Sequence, residues 1–168
     1  QSRFYENIIA RSPEFWENRY EELKNLFPSE LGDVKKSDFV LYVNKVEKSL
    51  VRIEADELTY PIHIMIRYDL EKELIMGSLD VEDLPSAWNK KVKDYLGLDV
   101  PSDKLGCLQD VHWYGGSIGY FPTYALGSAY SSQIFSRMNK DFDVLDELKN
   151  NSTTSKINLW LKEHVHKY

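Results

Sequence analysis

Apolar side chains recur every three or four residues along most of this sequence, which is the spacing that places them on one face of an α-helix. The first such segment begins at Ser12-Pro13, where a capping residue precedes a first-turn proline, and it continues to Pro28. Its apolar face consists of Phe15, Trp16, Tyr20, Leu23, Leu26 and Phe27. A shorter helix is predicted to begin at Ser37 or Asp38, with an apolar face of Phe39, Val40, Val43 and Val46.

The same pattern then predicts a long helix from about residue 51 to residue 76, ended by Gly77. Its apolar stripe consists of Leu58, Ile62, Met65, Ile66 and Leu70. Pro61 lies inside this segment and removes one helical hydrogen bond, so we expect a kink near Tyr60.

Three more helices are predicted further along the chain. One starts at Asp83 and ends at Gly97, with an apolar face of Trp88, Val92, Tyr95 and Leu96. Another runs from Pro122 to about Asn139. The last follows a polar hinge at 150–154, can be capped by Ser152, and has an apolar face of Ile157, Trp160, Leu161 and Val165.

These segments predict a mainly α protein in which residues 1–168 form a single helical region. Alternating strand patterns are scarce, and residues 116–120 could form at most a short β pairing. The segment 97–121 is longer than a simple connecting turn, and we expect it to be an ordered, functional connection. A chain of 168 residues, 42% of them apolar, is long enough to bury a real core.

Charge and cysteine content narrow the class of protein further. The formal net charge of −6 argues against a nucleic-acid partner, because the chain repels phosphate backbones. No apolar run approaches the roughly 20 residues that span a bilayer, so no membrane partner is expected. The single cysteine, Cys107, excludes an internal disulfide and fits a reducing compartment, so we expect a cytoplasmic location.

Two short segments carry most of the chemistry: Val51–Asp56 and Gly106–Trp113. The second continues through paired glycines to Tyr124, so polar, aromatic and glycine residues are crowded together. Buried polar groups need partners, and such a mixture indicates a site rather than packing alone. On a helix, Arg52 and Asp56 would form an ion pair across one turn. It is either a modest surface pair or a held guanidinium fork for a carboxylate.

Both segments resemble signature motifs of the carboxypeptidase Taq family, the thermostable zinc metallocarboxypeptidases. Residues 51–56 match [Ile/Val]-Arg-x-x-Ala-Asp, and residues 106–113 match Gly-x-x-Gln-Asp-x-His-Trp. Residues 119–127 and 1–7 are also similar to that family. The resemblance implies a multi-helical zinc peptidase fold of the neurolysin-like and angiotensin-converting-enzyme-like kind. It also implies peptide substrates with free C-termini and a homodimer when the enzyme is intact.

The family's zinc-binding motifs are missing from this sequence. Relatives bind zinc through a His-Glu-x-x-His helix and the Glu of a downstream His-Glu-[Ser/Gly]-Gln motif, of which Gln1 resembles the last residue. We therefore expect the C-terminal catalytic-half fragment of a larger peptidase domain, truncated at both ends and lacking the N-terminal half. In the intact enzyme zinc would polarise the carbonyl and activate water, with an upstream Glu as base. The fragment should bind no zinc and be inactive alone.

The resemblance also assigns roles to individual residues. His112 and Tyr124 are implied to be catalytic, donating hydrogen bonds to the oxyanion formed when water attacks the peptide carbonyl. Arg52 and Tyr120 are implied to bind substrate. Five further residues are implied to orient the groups around the metal without binding it themselves: Gln1, Asp56, Gln109, Asp110 and Trp113.

Plainer interpretations of these residues stay open from sequence alone. Tyr124 fits an aromatic core position of its helix equally well, and Gln109 and Asp110 could simply cap a loop. His164 and His166 are two apart on a helix and do not face the same way, so they do not predict a metal site. The alternative function is a non-catalytic helical module whose Tyr/Trp-rich surface binds a peptide or protein.

Overall fold

The computed structural model of the protein describes residues 1–167, and these residues form α-helices joined by short 3₁₀ turns, with no β-strand among them. The helices are α1 (Pro13–Trp16), α2 (Tyr20–Leu26), α3 (Pro28–Leu31), α4 (Lys36–Val43), α5 (Tyr60–Ile75), α6 (Leu84–Leu96), α7 (Val111–Tyr114), α8 (Tyr124–Met138), α9 (Val144–Asn150) and α10 (Ser155–His164). A π-helical segment, Phe4–Ile9, precedes α1. The predicted mainly α class is confirmed. No helix in the described part of the chain is long and apolar enough to cross a membrane.

The chain divides into two compact units, one formed by Gln1–Asn44 with the chain from Gly127 onward, and one formed by Lys45–Leu126. The first unit has a core drawn from the N-terminal segment, α8, α9 and α10: Phe4, Ile9, Met138, Val144, Leu148, Ile157, Trp160 and Leu161. The predicted buried face of the last helix is therefore correct for three of its four members, since Val165 is half-exposed. Helix α9 was not predicted.

The predicted helix between Ser12 and Pro28 is present but interrupted. Ser12 caps α1 as expected, since its hydroxyl accepts a hydrogen bond from the Phe15 N–H at 3.3 Å. The chain leaves the helix after Trp16, whose indole N–H donates to the Ala10 carbonyl at 2.8 Å. It re-enters a helix at Tyr20, whose buried hydroxyl donates to the Val34 carbonyl at 2.8 Å. Tertiary contacts therefore override the local helical pattern.

The second unit is built on α5 and α6, which pack together around Ile66, Leu70, Trp88, Val92, Leu96 and Cys107. Helix α6 follows its prediction and ends at Gly97, whose φ of +73° is the left-handed conformation that glycine adopts without strain. Residues 97–121 are ordered as a series of short turns around α7, as the sequence predicted.

The predicted helix over residues 51–76 is wrong in its first third. Residues Arg52–Glu54 form a 3₁₀ turn, and the α-helix begins only at Tyr60. Pro61 therefore lies in the first turn of α5, where its missing N–H has no helical role, and the expected kink does not arise. Leu58 and Met65 are exposed rather than part of the buried stripe. The buried face of α5 instead mixes apolar with ionisable residues: His63, Ile64, Ile66, Arg67, Leu70 and Glu71.

Candidate functional site

His112 lies on the short helix α7 in the second unit and is fixed by the residue that caps that helix. Asp110 Oδ1 accepts the backbone N–H of His112 at 3.0 Å and lies 3.1 Å from the ring nitrogen Nδ1. Because an ionised carboxylate can only accept, this contact places the Nδ1 proton between the two residues. Nε2 is then the ring nitrogen left for another partner.

Asp110 is itself paired with Arg67 of α5, and both side chains are fully buried. The Arg67 Nε–H donates to Asp110 Oδ2, and Nη1 donates to the His63 carbonyl at 3.1 Å. Burial alone would raise the pKa of Asp110, but the Arg67 charge and the hydrogen bonds from Arg67 and His112 lower it below its ordinary value. Burial lowers the pKa of Arg67 to about 10, with the Asp110 charge opposing that shift. The pair is therefore ionised at neutral pH.

Tyr124 stands near His112 within a cluster of aromatic rings. The ring centroids of His112 and Tyr124 are 6.4 Å apart, and those of His112 and Tyr120 are 5.4 Å apart. Burial raises the pKa of Tyr124, and the neighbouring Tyr120 and Tyr60 raise it further. Its hydroxyl therefore keeps its proton at neutral pH and can donate a hydrogen bond. Tyr120 is half-exposed beside it.

Arg52 also faces this cluster rather than Asp56. Its guanidinium carbon lies 4.7 Å from the centroid of the Phe121 ring, and its Nη2 lies 3.5 Å from His112 Nδ1. Arg52 Nε is buried and has no hydrogen-bond partner within the described chain. The guanidinium of Arg52 thus contributes a positive charge next to His112 and Tyr124.

Gln109 holds the Arg52 turn against the loop that precedes His112. Its Oε1 accepts the Arg52 backbone N–H at 3.2 Å. Its Nε2 donates to the carbonyl oxygens of Leu50 at 2.9 Å and Leu105 at 3.0 Å. One amide side chain therefore joins the two signature segments, which are more than fifty residues apart in sequence.

Asp56 has a different task from the one the helical spacing suggested, and the expected Arg52–Asp56 ion pair is not formed. Its carboxylate accepts the backbone N–H groups of Glu47, Leu58 and Thr59, at 2.8–2.9 Å, and the Thr59 hydroxyl at 2.9 Å. Burial by itself raises the pKa of Asp56, but these hydrogen bonds outweigh it and lower the pKa. Asp56 therefore shapes the turn that starts α5.

Trp113 is anchored by Glu71, a buried carboxylate on α5. The Trp113 indole N–H donates to Glu71 Oε1 at 2.7 Å, and the Gly119 backbone N–H donates to Oε2 at 3.0 Å. Gly119 has a φ of +76°, which L side chains rarely adopt. Glu71 thus ties both ends of the loop between His112 and Tyr120 to one helix.

Sequence reasoning missed Arg67 and Glu71, although the sequence contained a signal. His63, Arg67 and Glu71 are spaced by four residues, so they share one helical face with each other. A row of ionisable residues that interrupts an apolar pattern indicates either a solvated face or a buried network, and here it is the network.

Gln1 belongs to the other unit. There its Oε1 lies 2.6 Å from Nε2 of His166. Its predicted role near a metal ligand stays a prediction.

The described residues do not themselves fit a metal centre. Within residues 1–167 no group of three or more His, Cys, Asp or Glu side chains is placed to hold an ion.

An apolar groove of about 300 Å³ lies beside Glu71 on the outside of α5. It is lined by Tyr68, Glu71, Lys72, Ile75, Met76, Ile118, Gly119 and Pro122. Ile75 and Met76 are each more than 70% exposed there.

Comparison with known proteins finds carboxypeptidases that are similar to this chain. The chain is 46% identical to carboxypeptidase 1 of Bacillus subtilis over 166 residues, which is 99% of this chain and 33% of that protein. It is 48% identical to thermostable carboxypeptidase 1 of Thermus thermophilus over 146 residues, 87% of this chain and 28% of that protein. The solved structure named BsuCP superposes with a TM-score of 0.92 at 46% identity, covering 99% of this chain and 33% of that one. The chain thus spans about a third of the length of the curated relatives it matches.

The family model described as carboxypeptidase Taq (M32) metallopeptidase matches residues 1–168. That match includes both segments that build the site, 51–56 and 106–113. The chain therefore belongs to the carboxypeptidase Taq (M32) family of metallopeptidases.

Proposed function

We propose that this chain supplies the oxyanion donors and part of the substrate cleft of a metallocarboxypeptidase that releases C-terminal residues from peptides. The observation that carries the proposal is the proximity of His112 and Tyr124, whose ring centroids are 6.4 Å apart. Rings this close allow the His112 Nε2 and the Tyr124 hydroxyl to be directed at one oxygen atom, which oxyanion stabilisation by donors at about 2.7–3.1 Å requires.

Each donor has a defined proton in this role. The Tyr124 phenol, with its raised pKa, donates its O–H to the developing oxyanion. His112 Nδ1–H donates a hydrogen bond to Asp110, which leaves Nε2, when it carries a proton, as the second donor. The buried carboxylate of Asp110 holds the ring so that Nε2 faces away from it. Both donors are held in place before substrate arrives, so little reorganisation accompanies the reaction.

Arg52 is proposed to bind the terminal carboxylate of the substrate, and Tyr120 to contact the chain next to it. A guanidinium offers a planar fork that matches a carboxylate with two parallel hydrogen bonds. Support comes from the position of Arg52 next to His112 and from its buried Nε, which has no partner in the described chain. A fixed distance between a carboxylate clamp and oxyanion donors would select the last peptide bond of a chain.

We assign the metal, which we propose to be zinc, and the general base to polypeptide outside this chain. The intact enzyme is proposed to be a cytoplasmic homodimer, and this chain alone is proposed to be inactive. The homodimer follows from the family resemblance and the cytoplasmic location from the single cysteine, while the inactivity of the chain follows from the share of the relatives that it covers.

The oxyanion role is tested in the intact carboxypeptidase that contains this chain. We expect His112→Ala and Tyr124→Phe each to lower kcat about 100- to 1000-fold, with a smaller change in KM. Tyr114→Phe is the matched control: Tyr114 is on the same short helix as His112, but its hydroxyl donates to the Leu108 carbonyl at 3.1 Å. Full turnover in both test variants would defeat the proposal.

The carboxylate role is tested with paired substrates. An intact enzyme with Arg52→Lys should lose much of its preference for a free C-terminus over an amidated one, because a lysine cannot present the same fork. An unchanged ratio of kcat/KM for the two substrates would exclude Arg52 as the clamp.

The chain alone provides a third test. Purified chain should show no carboxypeptidase activity and no stoichiometric zinc by elemental analysis, whereas the intact enzyme should hold about one ion per subunit. Turnover by the chain alone would refute the assignment of metal and base elsewhere.

A further inference from the structure

Arg67 is a fully buried arginine held on several sides. Besides its hydrogen bonds to Asp110 and to the His63 carbonyl, its guanidinium carbon lies 4.7 Å from the Trp88 ring centroid and 4.8 Å from that of Phe121. Contacts of this kind between a guanidinium and aromatic rings are attractive, and they restrict its orientation. The group thus has one geometry in which to meet Asp110.

The two oxygens of Asp110 are divided between two partners. Oδ2 receives the Arg67 Nε–H, while Oδ1 receives the backbone N–H of His112 at 3.0 Å and faces its Nδ1 at 3.1 Å. Because a carboxylate is planar, fixing Oδ2 also fixes the direction of Oδ1. The orientation of the His112 ring therefore depends on Arg67 although the two side chains are not hydrogen-bonded to each other.

The protonation of Asp110 depends on the same contact. A buried carboxyl without a cation favours its protonated form, which carries an O–H donor. That donor would face Nδ1 and favour the ring tautomer with its proton on Nε2. Arg67 keeps Asp110 ionised, so that it only accepts.

Other charged groups around the pair act in known directions. The Arg52 Nη2 also lies near Nδ1, but at 3.5 Å it is farther than the Asp110 oxygen at 3.1 Å. On the α5 side, the Arg52 charge lowers the pKa of Arg67 and Tyr60 raises it, while Asp110 remains its strongest favourable charge. The neutral His63 at this position adds no competing charge, because its pKa is lowered to about 4.

We propose that Arg67 is a positioning residue for His112: acting through Asp110, it fixes the orientation of the imidazole and keeps the Nδ1–H tautomer. This inference rests on the proposed oxyanion role of His112 for its catalytic consequence, but the positioning itself is a property of the chain. Neither signature segment contains Arg67, which lies on α5.

The direct test is nitrogen NMR of the histidine rings in the full 168-residue chain, with His112→Gln used to assign the signal. In the wild-type chain the neutral His112 ring should be the Nδ1–H tautomer. An Nε2–H tautomer in the wild type would overturn the proposal without any variant at position 67. In Arg67→Lys, which keeps the charge but loses the fork, we expect both tautomers to be populated. A single Nδ1–H tautomer in that variant, with a wild-type circular dichroism spectrum, would reduce Arg67 to a packing residue.

Arg137→Lys is the matched control for this experiment. Arg137 pairs with Asp141 one turn away at 2.6 Å, and both side chains are partly exposed. The substitution makes the same chemical change outside the site, so the His112 signals should not move. A shift there equal to that of Arg67→Lys would show a non-specific effect and defeat the inference.

Kinetics of the intact enzyme give the second readout. Arg67→Lys should lower kcat roughly 100-fold, the loss typical of a misplacement of about 1 Å, with KM little changed. The acidic limb of the kcat profile should move to higher pH, since the lysine keeps the charge but loses the Nε–H hydrogen bond that stabilises ionised Asp110. A packing role would lower thermal stability without moving that limb. If His112→Ala retained full activity, the proposed function would fail, whereas the tautomer measurement would still decide the role of Arg67.

Discussion

His63 makes the stability of this chain sensitive to mild acid. The side chain is 1% exposed, and burial, followed by the charges of Arg67 and Arg52, lowers its pKa from 6.5 to about 4. A hydrogen bond with the Ser49 backbone and the Asp56 charge oppose this shift without reversing it. Between these two pKa values His63 binds a proton in the unfolded chain but not in the folded chain.

The sign of the effect follows from proton linkage. Because the unfolded state binds more protons between pH 4 and 6.5, the free energy of unfolding falls as the pH falls through that window. The stability that depends on a neutral His63 is fully present above pH 6.5, the pKa of this side chain in the unfolded chain. It has been lost when the pH reaches about 4, the pKa in the folded chain. A difference of this size corresponds to roughly 3 kcal/mol, a large share of the stability of a small domain.

The assay is urea unfolding followed by circular dichroism at a series of pH values from about 7 to 4. The wild-type chain is compared with His63→Gln, which cannot titrate. Carboxylates such as Asp110 take up protons in both proteins as the pH falls, so their contributions cancel in the difference. We expect the wild type to lose about 3 kcal/mol more than the variant across this range.

A matched control is His166→Gln, which removes a histidine that is exposed in the folded chain. Its stability should follow the wild-type curve. If wild type and His63→Gln instead lost stability in parallel from neutral pH to pH 4, the buried neutral imidazole would not be the source of acid sensitivity, and the reasoning would be refuted.

Three further predictions concern the fold and its surface. Ser12→Ala should lower the unfolding free energy by about 1 kcal/mol through loss of the cap of α1, measured by urea unfolding; no change would show that Pro13 alone starts the helix. Leu148→Ala should destabilise by about 2–5 kcal/mol because this fully buried side chain of α9 would leave a cavity, and a change below about 1 kcal/mol would contradict the packing described. Ile75→Lys with Met76→Lys should reduce binding of an apolar dye and self-association of the chain, as measured by fluorescence and light scattering. Unchanged dye binding would show that the dye binds an apolar surface other than the one around Ile75 and Met76.

The parts of the fold that local chemistry decides were predictable from sequence. Gly97 ends α6 and Ser12 caps α1 because each does so with its nearest neighbours in the chain. The start of α5 was not predictable in this way. It depends on Asp56 accepting the N–H of Glu47, nine residues away, a contact that helical periodicity does not encode.

Several residues of the candidate site were identified from sequence, but the contacts that join them were not. The proximity of His112 and Tyr124 was inferred from a family resemblance, not from their spacing. Arg67 was missed because periodicity treats a charged residue as solvent-facing, whereas a buried ion pair requires a partner from another element. That partner, Asp110, is 43 residues further along the chain.

Phe121 links the two arginines that surround this site, since both guanidinium carbons lie within 5 Å of its ring centroid. A leucine of similar bulk would fill the same space but offers no negative π-face to either cation. A substitution at position 121 would therefore disturb both the proposed carboxylate contact of Arg52 and the proposed alignment of the imidazole through Arg67. Because one ring contacts both guanidinium groups, position 121 should tolerate far fewer substitutions than its apolar character suggests.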